Sequence, residues 1–195
     1  ALFDENGEKS ADFDAVLTVD GAYKAADFIN FCDAYDIPVL SLTNVKGYAA
    51  DVRSEKSIAK AVAKLTYAFA NANVPKVNVI TGEAYGSAYV TMNSKALGAD
   101  VTYAWPDASI GMMDANEAAK IMYADDIAKS ADVQSVISEK AAEYAALQSG
   151  VESAAARGYV DTIISPADTR KYVIGAFEML FTKREDGPVR KHGTV

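Results

Sequence analysis

Val74-Pro75-Lys76-Val77-Asn78-Val79-Ile80-Thr81-Gly82-Glu83-Ala84-Tyr85-Gly86-Ser87-Ala88-Tyr89 decides the fold class. Pro75 stops a preceding helix, because its ring clashes with the turn before it and it has no N–H to donate. Lys76 to Thr81 is nearly continuous in apolar and β-branched residues, the pattern of a strand buried on both faces. The glycine-containing stretch 82–87 predicts a turn, and a short helix stopped by Gly98 follows it.

Upstream, Ile58, Ala61, Val62, Leu65, Phe69 and Ala72 recur at helical spacing and predict an amphipathic helix ending at Asn73. Before it, the run Ile37-Pro38-Val39-Leu40-Ser41-Leu42-Thr43 predicts another strand covered on both faces. Asp20 is placed to cap a helix carrying Ala22, Ala25, Ala26, Ile29 and Cys32 on one stripe. Residues 1–20 read as a hairpin or two short strands, with a turn at Asp4-Glu5-Asn6-Gly7 and a strand at 15–19. Downstream, strands are predicted at 101–105, 109–112 and 159–164. Asp114-Ala115-Asn116-Glu117 opens a small helix, Asp132 caps a helix over 133–148, and Ser165-Pro166-Ala167-Asp168 opens the last one, with Val173, Ala176, Phe177 and Leu180 inward. This alternation predicts one α/β domain over residues 1–182 and a charged, flexible tail over 183–195.

The 195 residues are 50% hydrophobic, enough for a full core. A net charge of -8 argues against a nucleic-acid surface, which needs clustered Lys and Arg. With 24% charged residues and no long apolar run, no membrane insertion is expected, and the acidic start Ala1-Leu2-Phe3-Asp4-Glu5 is not a leader pattern. A lone Cys32 excludes an internal disulfide and fits a reducing, cytoplasmic location. His192, the single histidine, lies in the tail, so neither a Ser-His-Asp triad nor a histidine metal site is expected, and no metal is assigned. Cys32 reads as core, Asp125-Asp126 as a solvated loop, and Tyr67, Phe69, Tyr85 and Tyr89 as core and wall packing. Neither GxGxxG nor a P-loop is present.

Backbone N–H groups remain as a means of stabilising negative charge. Two segments suit that role: Asn44-Val45-Lys46-Gly47-Tyr48 at the exit of strand 37–43, and Tyr85-Gly86-Ser87-Ala88-Tyr89, where a helix begins. Together they are candidates for an oxyanion hole, although Gly-Ser turns after strands also serve structure alone.

Lys24-Ala25-Ala26-Asp27-Phe28, the stretch from Phe31 to Pro38, the opening stretch from Val74 to Tyr89, and Gly98-Ala99-Asp100 with Tyr103-Ala104-Trp105-Pro106 resemble the carboxyltransferase family of biotin-dependent acyl-CoA carboxylases and decarboxylases. These blocks look like those of propionyl-CoA carboxylase β-subunits and of the α-subunits of decarboxylases such as methylmalonyl-CoA decarboxylase. Arg157-Gly158-Tyr159-Val160-Asp161 is similar to a G-x-V-D segment of crotonase-fold enzymes. The resemblance runs through about residues 15–182 and matches the second, biotin-side half of such a subunit. It implies a crotonase-like (ClpP/crotonase) β-β-α superhelix in a single α/β domain, working as a homo-oligomer. It also implies three partners: an N-terminal carboxyltransferase half, a biotin carboxyl carrier protein and an acyl-CoA. Biotin, carried on a separate carrier domain or protein, would be the cofactor and a CoA thioester the substrate.

By position, the resemblance assigns the catalytic role to the N–H groups of Ser87 and Ala88, supported by Gly47 and Tyr48, which would stabilise the enolate of (carboxy)biotin during carboxyl transfer to or from the acyl-CoA. It assigns biotin binding to Tyr85, Gly86, Ser87 and Ala88, and acyl selectivity to Val90, whose apolar side chain favours a small or different acyl group. The chain departs from the family where D-V-P-G-F becomes Asn44-Val45-Lys46-Gly47-Tyr48, where the following loop reads Ala49-Ala50-Asp51-Val52-Arg53-Ser54-Glu55-Lys56, and where Gly-Gly becomes Gly86-Ser87. Two other readings stay open. One is a crotonase-like hydratase, isomerase or hydrolase working without biotin, with Glu83 as its nearest carboxylate. The other is a non-catalytic assembly domain.

Overall fold

A computed structural model describes residues 15–130 and 132–185. The expected turn at Asp4–Gly7, His192 and most of the expected tail therefore lie outside the described residues. Strand β1 (Val16–Leu17) leads into helix α1 (Val19–Ala34). The cap of α1 is Thr18, not Asp20: Thr18 is extended and its hydroxyl accepts from the Gly21 N–H at 3.1 Å. Asp20 falls in the first turn, where the helix dipole favours a carboxylate, and pairs with Arg53. Cys32 is buried on α1, and that burial raises its thiol pKa.

Strand β2 (Val39–Val45) and the two-residue β3 (Gly47–Tyr48) follow, and β3 pairs in parallel with β1. Helix α2 (Val52–Asn71) packs against α1, its inner stripe of Ala61, Leu65, Ala68 and Phe69 almost wholly buried. Asp51 caps α2 by accepting from the Arg53 and Ser54 N–H groups. At the other end the buried Lys76 ammonium donates to the Phe69 carbonyl at 2.8 Å, satisfying a last-turn acceptor.

Strand β4 (Lys76–Tyr85) is the spine of the sheet. It pairs in parallel with β2 on one side and β5 (Val101–Ala104) on the other, β5 pairs with β7 (Thr162–Ile163), and β6 (Ser109–Gly111) pairs with the far half of β4. The α/β architecture expected from the alternation of elements is therefore present. The expected turn at 82–87 is not: β4 continues to Tyr85 through an irregularity. Between Thr43 and Val45 of β2, the paired positions on β4 advance from Ile80 to Ala84. Asn44 fills the bulge, its Oδ1 accepting from the Glu83 N–H at 3.0 Å and lying 2.8 Å from where a Cβ on Gly82 would sit. Gly82 thus admits a side chain from the neighbouring strand.

Helix α3 (Gly86–Thr91) follows β4 directly. Beyond β6 come α4 (Ala115–Met122), capped by Asp114, and α5 (Ala124–Lys129), which carries Asp125 and Asp126 as exposed helical residues, not as a loop. Asp132 caps α6 (Val133–Tyr144) as expected, but the helix changes to a π-helical turn over Ala145–Ser149 before α7 (Val151–Ala156). A 3₁₀ turn over Pro166–Asp168 opens α8 (Thr169–Met179). Lys183, expected to start a loose tail, is 11% exposed and pairs with Asp100 and Glu185.

The two sheet faces are covered unequally. On one, Val39, Val45, Ile80, Ala84 and Ala104 join α1, α2 and Tyr89 in the main core. On the other, Val77, Val79, Val101 and Tyr103 receive Val173, Ala176, Phe177 and Leu180, the inward set expected for α8. That helix does not reach β2. Leu40 and Leu42, in register with Val77 and Val79, are 42% and 59% exposed, so the expected two-sided burial of β2 is not achieved among the described residues. A continuous apolar run cannot distinguish burial by its own fold from an apolar surface left open.

Leu65→Ala, deep beneath α2, is expected to lower the unfolding free energy by about 2–5 kcal/mol, whereas Leu42→Ala on the open face should change it by less than about 1 kcal/mol. Urea denaturation of both variants measures the contrast.

Candidate active site

The site grows from the end of β4. Tyr85 is extended, and Gly86 turns the chain at φ +58°, a conformation glycine adopts without penalty. A Cβ on Gly86 would also stand 2.9 Å from the Met112 carbonyl oxygen, so two backbones converge where only a hydrogen fits. From there α3 runs back over the core: Ala88 and Tyr89 are buried beneath it, while Ser87 and Val90 are exposed on its outer side. No side chain caps α3, and the first-turn N–H groups of a helix have no partner within the helix.

Hydrogen bonds brace α3 from within and tie its C-terminal end to the sheet. Thr91 Oγ1 donates to the Ser87 carbonyl and Ser94 Oγ to the Val90 carbonyl, each at 2.9 Å. At its C-terminal end the Thr43 hydroxyl, 2.7 Å from Asn78 Oδ1, lies 3.3 Å from the Met92 carbonyl oxygen, joining β2, β4 and α3 through buried polar contacts. Asn93, also buried, donates from Nδ2 to the Val77 carbonyl.

In front of α3 lies a cavity of about 340 Å³ lined by Gly86, Ser87, Tyr89, Val90, Ile110, Gly111, Met112, Gln148, Ala154, Arg157 and Tyr159. Gly111 comes from β6, Gln148 from the π-helical turn, Ala154 from α7, and Arg157 and Tyr159 from the segment after it. A bridge between Ser109 and Gly150 ties the π-helical turn to β6, and the Arg157 guanidinium hydrogen-bonds Gln148 Oε1. The segment is anchored at its far end as well: Gly158 ends α7 at φ +81°, Val160 is buried, and Asp161 pairs with Lys95 and accepts from the Thr102 N–H at 2.8 Å.

Of the residues singled out in the sequence, Gly86, Ser87 and Val90 line this cavity. Ala88 is buried in the core and does not line the cavity. Gly47 and Tyr48 form β3, which packs against α3 but supplies no cavity-lining side chain. Tyr85 lies elsewhere. Its side chain is buried beside Gly111, and its pKa is raised by burial against the opposing effect of a hydrogen bond with Ser109. Glu83 is half-buried in β4 and does not line the cavity. Sequence reasoning missed Ile110, Met112, Gln148 and Ala154, which carry no motif. Arg157 and Tyr159 stood within a segment noticed only for its resemblance. Tyr89 was read as wall, and it is a wall with a polar tip. Tyr67, by contrast, is 66% exposed on α2 and packs in neither core.

Among the lining residues there is no carboxylate, and Arg157 carries the only formal charge. The Tyr89 phenol is held neutral, its pKa pushed up to about 12 by burial first and by the nearby Tyr159 second. The cavity is thus a mostly apolar hollow edged with hydrogen-bond donors, a setting that accepts oxygen-rich or anionic groups. A second hollow of about 260 Å³, between Tyr103 and α8, gathers Lys171 and Tyr172 but no comparable backbone approach.

A parallel sheet whose central strand passes into a short helix above such a cavity places the molecule among the α/β carboxyltransferase folds of the crotonase class. The Carboxyl transferase domain family model matches residues 9–195, and this chain belongs to that family. The propionyl-CoA carboxylase beta chain of Saccharopolyspora erythraea is 45% identical over 184 residues, covering 92% of this chain and 34% of that protein. The methylmalonyl-CoA carboxyltransferase 12S subunit of Propionibacterium freudenreichii subsp. shermanii is 42% identical over 178 residues, covering 91% and 34%. A solved transcarboxylase 12S structure, described as a hexamer assembly with methylmalonyl-coenzyme A and methylmalonic acid bound, matches with a TM-score of 0.85 at 41% identity, over 92% of this chain and 35% of that one. The chain spans about a third of the length of the curated relatives it matches. Among the described residues, no helix is long and apolar enough to cross a membrane.

Two outcomes follow from the geometry. Gly86→Ala is expected to cost about 2 kcal/mol or more, from the left-handed φ and the Met112 contact, while Gly47→Ala, with open space around its Cβ, should leave the thermal midpoint nearly unchanged. Tyr89 supplies a pH signature. Its folded pKa, near 12, lies above its ordinary value of 10.0, so its stabilisation is complete below pH 10 and is lost as pH rises toward 12. The stability difference between wild type and Tyr89→Phe should fall by about 2 kcal/mol between pH 9 and pH 11.5, measured by urea denaturation.

Proposed function

We propose that this chain forms the biotin-facing half of a carboxyltransferase centre that moves a carboxyl group to or from an acyl-CoA. The observation that carries this reading is the cavity at the β4–α3 junction, where the Gly86 turn and the start of α3 meet. The fit to a biotin ring rests on three features. The volume of about 340 Å³ suits a small bicyclic group, the walls at Ile110, Met112 and Ala154 are apolar, and the edge offers donors to a ureido oxygen.

Biotin, carried by a separate partner, would supply the transferable carboxyl group. The chain's own contribution is electrostatic. The Ser87 and Ala88 N–H groups at the start of α3 hold negative charge as it develops on the ureido oxygen, and their fixed orientation means no reorganisation is needed when that charge forms. Gly86 lets the backbone approach closely, and β3 with Gly47 and Tyr48 supports α3 from the side. Val90, exposed beside the cavity, limits the size of the acyl group presented opposite biotin and favours a small one. The acyl-CoA itself is held chiefly by an N-terminal carboxyltransferase half. The complete centre therefore forms in an oligomer, as the hexamer and the bound methylmalonyl-coenzyme A described for the transcarboxylase relative would suggest by analogy.

Titrating the chain with biotin methyl ester and separately with CoA, followed by ligand-observed NMR, tests the proposal. Biotin methyl ester is expected to bind, CoA to bind much more weakly, and Ser87→Pro, which deletes one donor in a first helical turn that tolerates proline, to weaken the biotin analogue about tenfold or more. Absence of biotin contact up to millimolar concentration in a folded sample, or tight CoA binding alone, would sink it.

A further inference from the structure

Arg157 is the single charged residue lining the cavity, in a chain whose net charge is -8. A lone cation beside an apolar hollow draws anions toward it, and no carboxylate lines the space to cancel the charge. Among the described residues no carboxylate pairs with Arg157. Asp161, the first acidic residue after it, is taken by Lys95.

The group that does hold Arg157 is neutral. Its guanidinium donates from Nη2 to Gln148 Oε1, and Gln148 is itself a lining residue, carried to the cavity by the π-helical turn. An amide oxygen takes one N–H and orients the planar fork without neutralising it, which leaves the other N–H groups for an occupant. The backbone is fixed as well, because Arg157 ends α7 with its N–H bonded to the Ser153 carbonyl. A purely structural role is already filled: Ser153 Oγ donates to the Leu147 carbonyl at 3.4 Å, tying α7 to the π-helical turn without Arg157. The Gln148 contact therefore presents an oriented, uncompensated guanidinium at an exposed position beside the hollow.

We infer that Arg157 is a ligand-binding residue whose guanidinium, held by Gln148, receives the carboxylate that is carried into or out of the cavity, so that the site favours a carboxylated occupant over its neutral form. The two oxygens of a carboxylate match two parallel N–H groups of the fork. The inference rests on the biotin-side reading above and adds to it a side chain that distinguishes the loaded from the unloaded ligand. The carboxylate arrives on the cyclic urea or on the acyl group, and the chemistry that Arg157 meets is the same.

The test uses the 195-residue chain and ligand-observed NMR. Biotin methyl ester bearing an N1′-carboxymethyl group is a stable acidic stand-in for the carboxylated ring, the methyl ester of that group is its neutral match, and malonate represents the acyl side. In the wild-type chain the acidic ring probe is expected to bind about fivefold or more tightly than its neutral match, an advantage that about 0.5 M salt reduces. Arg157→Gln should abolish the advantage while leaving Kd for the neutral probe within about twofold, and Arg157→Lys should restore part of it. A merely structural Arg157 would change both ring probes alike. Should malonate be the probe whose binding depends on Arg157, the acyl group is the source of the carboxylate and the inference stands. Equal effects of Arg157→Gln on the acidic and neutral ring probes, with malonate indifferent to the substitution, overturn the inference and leave the biotin-side reading standing. Failure of the folded wild-type chain to bind biotin methyl ester itself overturns that reading, and the inference with it.

Discussion

The close approach of two backbones at Gly86 sets the geometry of the whole site. With φ at +58° and the Met112 carbonyl 2.9 Å from where a Cβ would stand, β4 can turn into α3 only if this residue has no side chain. That turn aims the start of α3 away from the sheet and leaves a hollow between it, β6 and the segment after α7. The Thr43 hydroxyl, between Asn78 and the Met92 carbonyl, and the buried Asn93, bonded to the Val77 carbonyl, then fix the end of α3 against the sheet. Preorganisation of this kind is what charge stabilisation by backbone groups requires, since donors that must move into place lose most of their advantage.

The rest of the site is assembled from elements distant in sequence. The π-helical turn at Ala145–Ser149 adds one residue per turn to the end of α6, a local irregularity of the sort that often accompanies functional sites, and it carries Gln148 to the cavity. Asp161 does comparable work from further away. By accepting from the Thr102 N–H and pairing with Lys95 it pins the chain beyond Gly158, so Arg157 and Tyr159 face the hollow. The ion pair is half-exposed and adds little to stability by itself, but the hydrogen bond to the edge of β5 gives it a positional role.

The departures from the family pattern in the loop after β2 fit this picture. Asn44 is bonded into the β4 bulge and occupies the room left by Gly82, so the altered segment is integrated with the sheet. The Gly86-Ser87 pair retains the glycine at the position where conformation demands it and places serine one residue later, exposed, where a side chain meets no such constraint.

What the sequence determined by itself was local. The α1 and α2 stripes, the Asp132 cap, the inward face of α8 and the strand at Lys76–Thr81 follow from hydrophobic period and capping chemistry, which act over a few residues. The glycine at the β4–α3 junction was legible for the same reason, as was Ser87 beside it, whereas Val90 was reached only through the family resemblance. Tertiary structure decided what depends on a neighbour. Asn44 filling the space over Gly82 turned an expected loop into strand, and the limited reach of α8 left Leu40 and Leu42 uncovered despite their apolar run. Tyr85 was turned toward β6 and away from the cavity, while Gln148, Arg157 and Tyr159 were brought to its mouth. A side chain's role in such a site depends on which distant backbone passes beside it, and no period or spacing along the chain encodes that meeting.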